Sequence, residues 1–299
     1  MKSDSEIMTA IAHKSDMLRQ LSKEESRLLK ETLVRMFTDL DNLCRENNLD
    51  LILVGGSALG AARHKGFIPW DDDLDVALSR DHYDRLLELL KIGKLGTQYE
   101  YTFPSEERDS KNLFLKVYRK GTVNSEVLDE YTPFPKGIFL DVFPIENAWR
   151  PGFMNTLKSG VSKVLSFISV SVLYYQYRST AYKEFMSQSD DGKKRYKLRM
   201  RIGKFASIID HKKWAWGFDR FVRMKKFTGF VTIPTGRKGY KGETLPFSSI
   251  FPVAEAKFED VWAKVPGNLD LYLRNLYGDY MTIPPVEKRE RHYVTEIKF

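Results

Sequence analysis

The chain reads as an α/β (α+β) protein, and three stretches carry that expectation. Leu51-Ile52-Leu53-Val54 is a short apolar, partly β-branched run closed by Gly55-Gly56 and followed by the helix-prone Ser57-Ala58-Leu59-Gly60-Ala61-Ala62-Arg63-His64. From Asp73 to Leu78 the residues Asp-Leu-Asp-Val-Ala-Leu alternate with the period of a strand. Ile138-Phe139-Leu140-Asp141-Val142-Phe143 is an apolar strand interrupted by a single acid.

The elements follow in chain order. Residues 1–6 lack the basic-then-apolar order of a secretory signal, and residues 28–44 place Leu29, Leu33, Met36, Leu40 and Leu43 on one helical face. An amphipathic helix therefore precedes the first strand. After that strand, Ser57 stands where an N-cap belongs, so strand, glycine turn and helix start come in succession. Glycines let a ligand approach the backbone, and a helix N-terminus attracts phosphate, which makes Gly56 and Ser57 candidate phosphate contacts. Arg63 adds a planar cation suited to the same anion. His64 reads as a packing or capping residue, and Trp70 as a packed wall.

Asp71, Asp72, Asp73 and Asp75 put four carboxylates into five positions. On a strand Asp73 and Asp75 share a face, with Cα atoms roughly 6.6–7 Å apart, and Asp71 joins them if the extension begins early. Asp72 falls on the opposite face. Two such charges repel by roughly 2 kcal/mol at an effective dielectric near 20, a cost that a bound cation reverses. Hard oxygen ligands of this kind suit Mg²⁺ or Mn²⁺. Asp141 is costly to bury without a partner, a metal or a proton. Lys116, in Phe114-Leu115-Lys116-Val117-Tyr118-Arg119, is a candidate for a salt bridge to it or for a phosphate contact.

The run GSALGAARHKGFIPWDDDLDVAL resembles the signature of the LicD family. Phe139-Leu140-Asp141-Val142-Phe143-Pro144-Ile145 is similar to that family's second element. Leu276-Tyr277-Gly278-Asp279-Tyr280-Met281, then Pro284-Pro285 and Arg291-His292, is similar to its terminal block. The doubled Gly55-Gly56 before Ser57-Ala58-Leu59 is a conservative departure from the family pattern.

The resemblance implies a nucleotidyltransferase (DNA polymerase β-like) mixed-sheet core with helical additions, also found in fukutin-related enzymes. It implies Gly56 and Ser57 at phosphate, and Asp73, Asp75 and Asp141 as the catalytic and metal-holding acids. It further implies a CDP-alcohol donor, most familiarly CDP-choline, and a glycan or lipid-linked glycan acceptor in lipopolysaccharide, teichoic acid or capsule synthesis. Ribitol, glycerol and ethanolamine donors stay open. Two other classes compete. A nucleotide-sugar glycosyltransferase uses a similar DxD, but ordinarily with more chain ahead of it than the about seventy residues found here. A non-catalytic glycan or membrane binding module has no need of the acid set.

The chain's 299 residues allow one catalytic domain with additions. Residues 1–150 hold the first helix and the catalytic core, 151–230 a basic helical insertion, and 231–299 a segment returning to the active site. The first boundary falls after Trp149-Arg150-Pro151-Gly152. From Arg178 to Lys226 there are fifteen Lys or Arg against five Asp or Glu, while the whole chain carries +8. Beside the apolar stretch 164–175, that segment predicts peripheral contact with an anionic membrane. No nucleic-acid motif accompanies the charge, so nucleic acid is not an expected partner. The glycine-basic stretch 236–242 reads as a loop. The single cysteine, Cys44, excludes an intramolecular disulfide and a cysteine zinc site. No run reaches 18 uncharged apolar residues. The expected location is cytoplasmic, at the inner face of the cell membrane.

Overall fold

The computed structural model describes residues 4–286, 289 and 293–299, which leaves Arg291 and His292 of the terminal block outside the described residues. Helix α1 (Asp4–Ala12) is followed by α2 (Lys23–Glu46), which opens on a capping box. Ser22 accepts from the Glu25 amide at 3.1 Å, and the Glu25 carboxylate accepts from the Ser22 amide at 2.9 Å. The predicted face of Leu29, Leu33, Met36, Leu40 and Leu43 is buried against the sheet.

The first half of the sheet comes from β1 (Ile52–Leu53), β2 (Asp75–Ser79), β3 (Tyr99–Thr102), β4 (Leu115–Arg119) and β6 (Phe139–Asn147), with β5 (Val123–Glu126) set apart. Helices α3 (Gly55–His64) and α4 (Arg80–Lys91) lie between the early strands. A helical block follows: α5 (Phe153–Gln176), α6 (Thr180–Met186), α7 (Asp190–Ala206) and α8 (His211–Val222). The chain then returns through β7 (Phe230–Thr232), the short α9 (Gly239–Gly242), β8 (Leu245–Pro246), β9 (Ala254–Phe258), β10 (Val261–Val265) and α10 (Leu269–Tyr277). It ends in β11 (Val294–Lys298), paired with β5.

The main path runs β3-β4-β6-β2-β1-β10-β9, with β7 and β8 attached beyond β6. It is a mixed sheet: β2 with β6 and β1 with β10 are parallel, whereas β1 with β2 and β4 with β6 are antiparallel. Register sets one row that matters for the site. Lys116, Asp141 and Asp75 are partners across β4, β6 and β2. The 231–299 segment supplies β9 and β10 to the main sheet, next to β1.

Two expectations change in detail. Extension begins at Asp75 rather than Asp73, because β2 finds its partners only from Leu53 and Asp141 onward. Asp71, Asp72 and Asp73 therefore sit in the loop ahead of the strand. Residues 239–242 form one helical turn where the glycines suggested a loop.

Candidate active site

The Gly55-Gly56 turn meets the acids directly. Helix α3 starts at Gly55, with Val54 as its N-cap and no side-chain cap bond. Gly55 has φ +53°, and a Cβ built there would lie 3.0 Å from Asp75 Oδ2. A Cβ on Gly56 would lie 2.8 Å from Asp71 Oδ2. The absent side chains are what allow carboxylate and helix start to share this space. Tyr272 of α10 locks the turn from the other side, its hydroxyl accepting from the Gly55 amide at 2.9 Å.

Ser57 is not the N-cap. It is the third residue of α3, buried, and its hydroxyl accepts from the Asp75 amide at 2.9 Å. Its work is to tie α3 to the start of β2.

A cleft of about 360 Å³ opens over this junction, lined by Gly55, Gly56, the acids Asp71, Asp72, Asp73 and Asp75, and Phe143. From the C-terminal third come Arg237, Glu243, Tyr272 and Tyr277. An adjoining compartment of about 350 Å³ shares Gly56, Asp71, Arg237 and Tyr277 and adds Arg63, Trp70 and Arg289. The Arg289 guanidinium lies 4.1 Å from the centre of the Trp70 ring, and that of Arg63 at 6.0 Å. Acid and base thus face each other along one groove.

One ligand oxygen from each of Asp71, Asp72 and Asp73 falls within 4.8 Å of the other two. Such a set of hard oxygens at partly exposed positions fits a small divalent cation that keeps water or substrate oxygens in its other sites. Asp72, placed by strand alternation on the far face, joins this group because a loop has no alternation.

Asp141 lies one strand from Asp75, in register with it. Its Oδ1 is 2.9 Å from Lys116 Nζ, and both side chains are almost fully buried. The contact is a charge pair without hydrogen-bond geometry, and Oδ1 has no hydrogen-bond partner among the described residues. Lys116 also stands 3.2 Å from the centre of the Phe139 ring. Asp141 and Lys116 do not line the cleft. They form a charged pair in the sheet beside Asp75.

Arg63 donates to the Tyr280 carbonyl at 2.7 Å and to His64 Nε2 at 3.0 Å, and burial holds its guanidinium below the ordinary value. The His64 ring packs edge-on to Trp70, with centroids 6.5 Å apart.

Sequence reasoning missed Glu243. It is buried in the cleft wall, accepts from the Lys238 amide at 3.0 Å, and burial pushes its carboxyl up to about 7. Its only linear signal was one acid closing a glycine-basic stretch. Tyr272 and Tyr277 were equally hidden, since burial and long-range contact give them their place.

With this geometry in view, residues 48–148 match the family described as LicD/FKTN/FKRP, nucleotidyltransferase domain. The chain carries a LicD-family domain. The matched residues include the glycine turn, all four clustered acids, Lys116 and Asp141. The chain is 23% identical over 284 residues to the lipopolysaccharide cholinephosphotransferase LicD of Haemophilus influenzae, covering 93% of this chain and 98% of that protein. An uncharacterized protein of Rickettsia prowazekii is 28% identical over 123 residues, 38% of this chain and 45% of its own. One of Rickettsia typhi is 35% identical over 63 residues, 20% of each chain. The similarity to the Haemophilus LicD extends past the matched domain into the helical block and the C-terminal strands.

Proposed function

We propose that the protein is a divalent-metal-dependent transferase that moves phosphocholine from CDP-choline to a sugar hydroxyl of a cell-surface glycan precursor. The observation that carries this reading is the glycine turn pressed against Asp71 and Asp75 at the floor of a cleft that also holds Asp72 and Asp73. Full-length similarity to a lipopolysaccharide cholinephosphotransferase supports the donor group and the acceptor class. The matched domain's description supports a nucleotidyltransferase core.

Asp71, Asp72 and Asp73 would hold Mg²⁺ or Mn²⁺, with Asp75 beside them. The cation, when bound, neutralises charge on the donor's diphosphate. The first turn of α3 offers the Gly56 and Ser57 amides and its positive helix end to the same phosphates. Arg63 and Arg237 supply further positive charge along the groove. Positioning and charge neutralisation account for most catalysis of phosphoryl transfer.

The acceptor oxygen bonds to the phosphorus bearing choline, and the bond from that phosphorus to the bridging oxygen breaks. CMP leaves with the bridging oxygen and its electron pair. The hydroxyl proton passes to a carboxylate of the acid set. The Asp141–Lys116 pair acts from beneath, fixing the charge and position of the strands that present Asp75.

A donor panel tests the assignment. Purified protein and Mg²⁺ are incubated with cell-envelope glycan precursor and with CDP-choline, CDP-ribitol, CDP-glycerol, CDP-ethanolamine or UDP-sugars in turn. Release of CMP from CDP-choline, with phosphocholine on the glycan, is expected. Turnover of UDP-sugars alone would establish a glycosyltransferase instead.

A further inference from the structure

Helix α5 is built inside out. Its buried residues include Asn155, Ser159, Ser162 and Ser169, whereas Phe153 is 79%, Leu157 51% and Val164 57% exposed. At 3.6 residues per turn these three, with Met154 and Val161, occupy one arc of about 100°, opposite the serine face. A helix facing water on its outer side places these residue types the other way round.

By length and composition alone α5 could cross a membrane, yet only a third of its most apolar window is buried. The outward stripe ends near Ile168, and beyond it Ser169, Val172 and Leu173 are packed into the protein. A helix held in this way by its second half lies along an interface and does not span it.

Charge supplies a second, independent observation. No Asp or Glu occurs from Asn147 to Lys183 or from Arg220 to Gly242. The fold brings these two acid-free stretches together. Lys158 Nζ donates to the Val222 carbonyl at 3.0 Å, Lys226 Nζ lies 5.6 Å from the centre of the Trp149 ring, and Lys163 Cε comes within 3.9 Å of a Cβ built on Gly239. Arg150, Lys163, Lys225 and Lys226 are exposed on the segments that flank the stripe.

We infer that the Phe153–Val164 face of α5 docks on the surface of an anionic lipid bilayer. Its apolar stripe enters to a depth of about 5–10 Å while the flanking cations meet the headgroups. Of the cations in 178–226, Lys225 and Lys226 join this face, whereas three others are committed within the fold. Arg195 and Arg199 pair with Asp4, and Arg223 pairs with Asp84 and Asp219. The docking face also leads to the cleft. Helix α9 packs on α5, and Arg237, two residues before α9, lines the cleft. A lipid-carried acceptor would thus be met close to the bilayer, a corollary that rests on the proposed chemistry, whereas the docking does not.

Sedimentation of the full chain with vesicles tests this. Binding is expected to phosphatidylcholine vesicles containing phosphatidylglycerol, weakly to phosphatidylcholine alone, and less at high salt. The double variant Leu157→Glu/Val161→Glu is expected to lose at least tenfold in partitioning. Lys225→Gln/Lys226→Gln is expected to lose about twenty-five-fold, near fivefold for each cation. Circular dichroism should show both variants folded, since every changed side chain faces outward. Wild-type protein that ignores anionic vesicles, or variants that bind as well as wild type, would overturn the inference. So would a wild-type dimer that the α5 variant dissociates, without vesicle binding by either, since the stripe would then join two copies. Vesicle binding without CMP release would leave docking intact and remove the chemistry.

Discussion

Gly56 is the residue at which fold and chemistry are least separable. In Gly56→Ala the new methyl would meet only the tip of the Asp71 carboxylate, so the fold should persist while that oxygen is displaced. Turnover is expected to fall roughly a hundredfold, the scale of losing one well-placed electrostatic contact, with the melting temperature nearly unchanged. Lys116→Met should show first as lost stability. Stranding Asp141 as a buried unpaired charge costs about 3–5 kcal/mol, measurable by urea unfolding, and Lys116→Met/Asp141→Asn should recover much of that loss. Glu243 makes a pH prediction. Its carboxyl is held up at about 7 against an ordinary 4.5, so between these values the native state keeps a proton that the unfolded state has lost. Its contribution to stability is therefore full below about pH 4.5 and declines as pH rises to 7. Subtracting the unfolding free energies of Glu243→Gln from those of wild type at pH 5 and pH 7.5 should reveal that decline, and a pH-independent difference would show that Glu243 titrates normally.

At the scale of elements, the decisive contact joins α10 to α3. Tyr272→Phe removes the acceptor for the half-buried Gly55 amide, and losing such a hydrogen bond costs about 1 kcal/mol. Lower stability together with lower turnover is expected, and amide exchange at Gly55 should quicken. That contact spans 217 residues of sequence, and nothing local announces it. Local pattern was legible where one face of an element meets the core. The 3.6-residue period of α2 reported its buried face, and the one acid interrupting the apolar run 138–143 marked Asp141. Asp73 and Leu74 were misread as extended because the alternation from Asp73 onward was real but had no partner strand before Asp75. Ser57 was legible as a polar residue at a helix start, but its bond to the β2 amide depends on how α3 and β2 pack.

For the whole molecule, sequence held the acidic half of the site and little of the basic and aromatic half. Asp71 to Asp75 lie within one short run, whereas Arg237 and Glu243 reach the groove because β7 pairs with β6, and Tyr272, Tyr277 and Arg289 follow β10, which pairs with β1. The excess of cations in 178–226 was equally plain, but which of them are paired depends on Asp4, Asp84 and Asp219. The cleft itself is the claim on which the rest depends, and its acids can be tested together. CMP release from CDP-choline in the presence of glycan precursor should be compared for wild type, Asp72→Asn, Asp73→Asn and Asp75→Asn across a Mg²⁺ titration, with folding checked by circular dichroism. Metal-dependent release by wild type is expected, with the folded variants slowed roughly a hundredfold or more. Metal-independent release, or undiminished rates in all three variants, would contradict that claim.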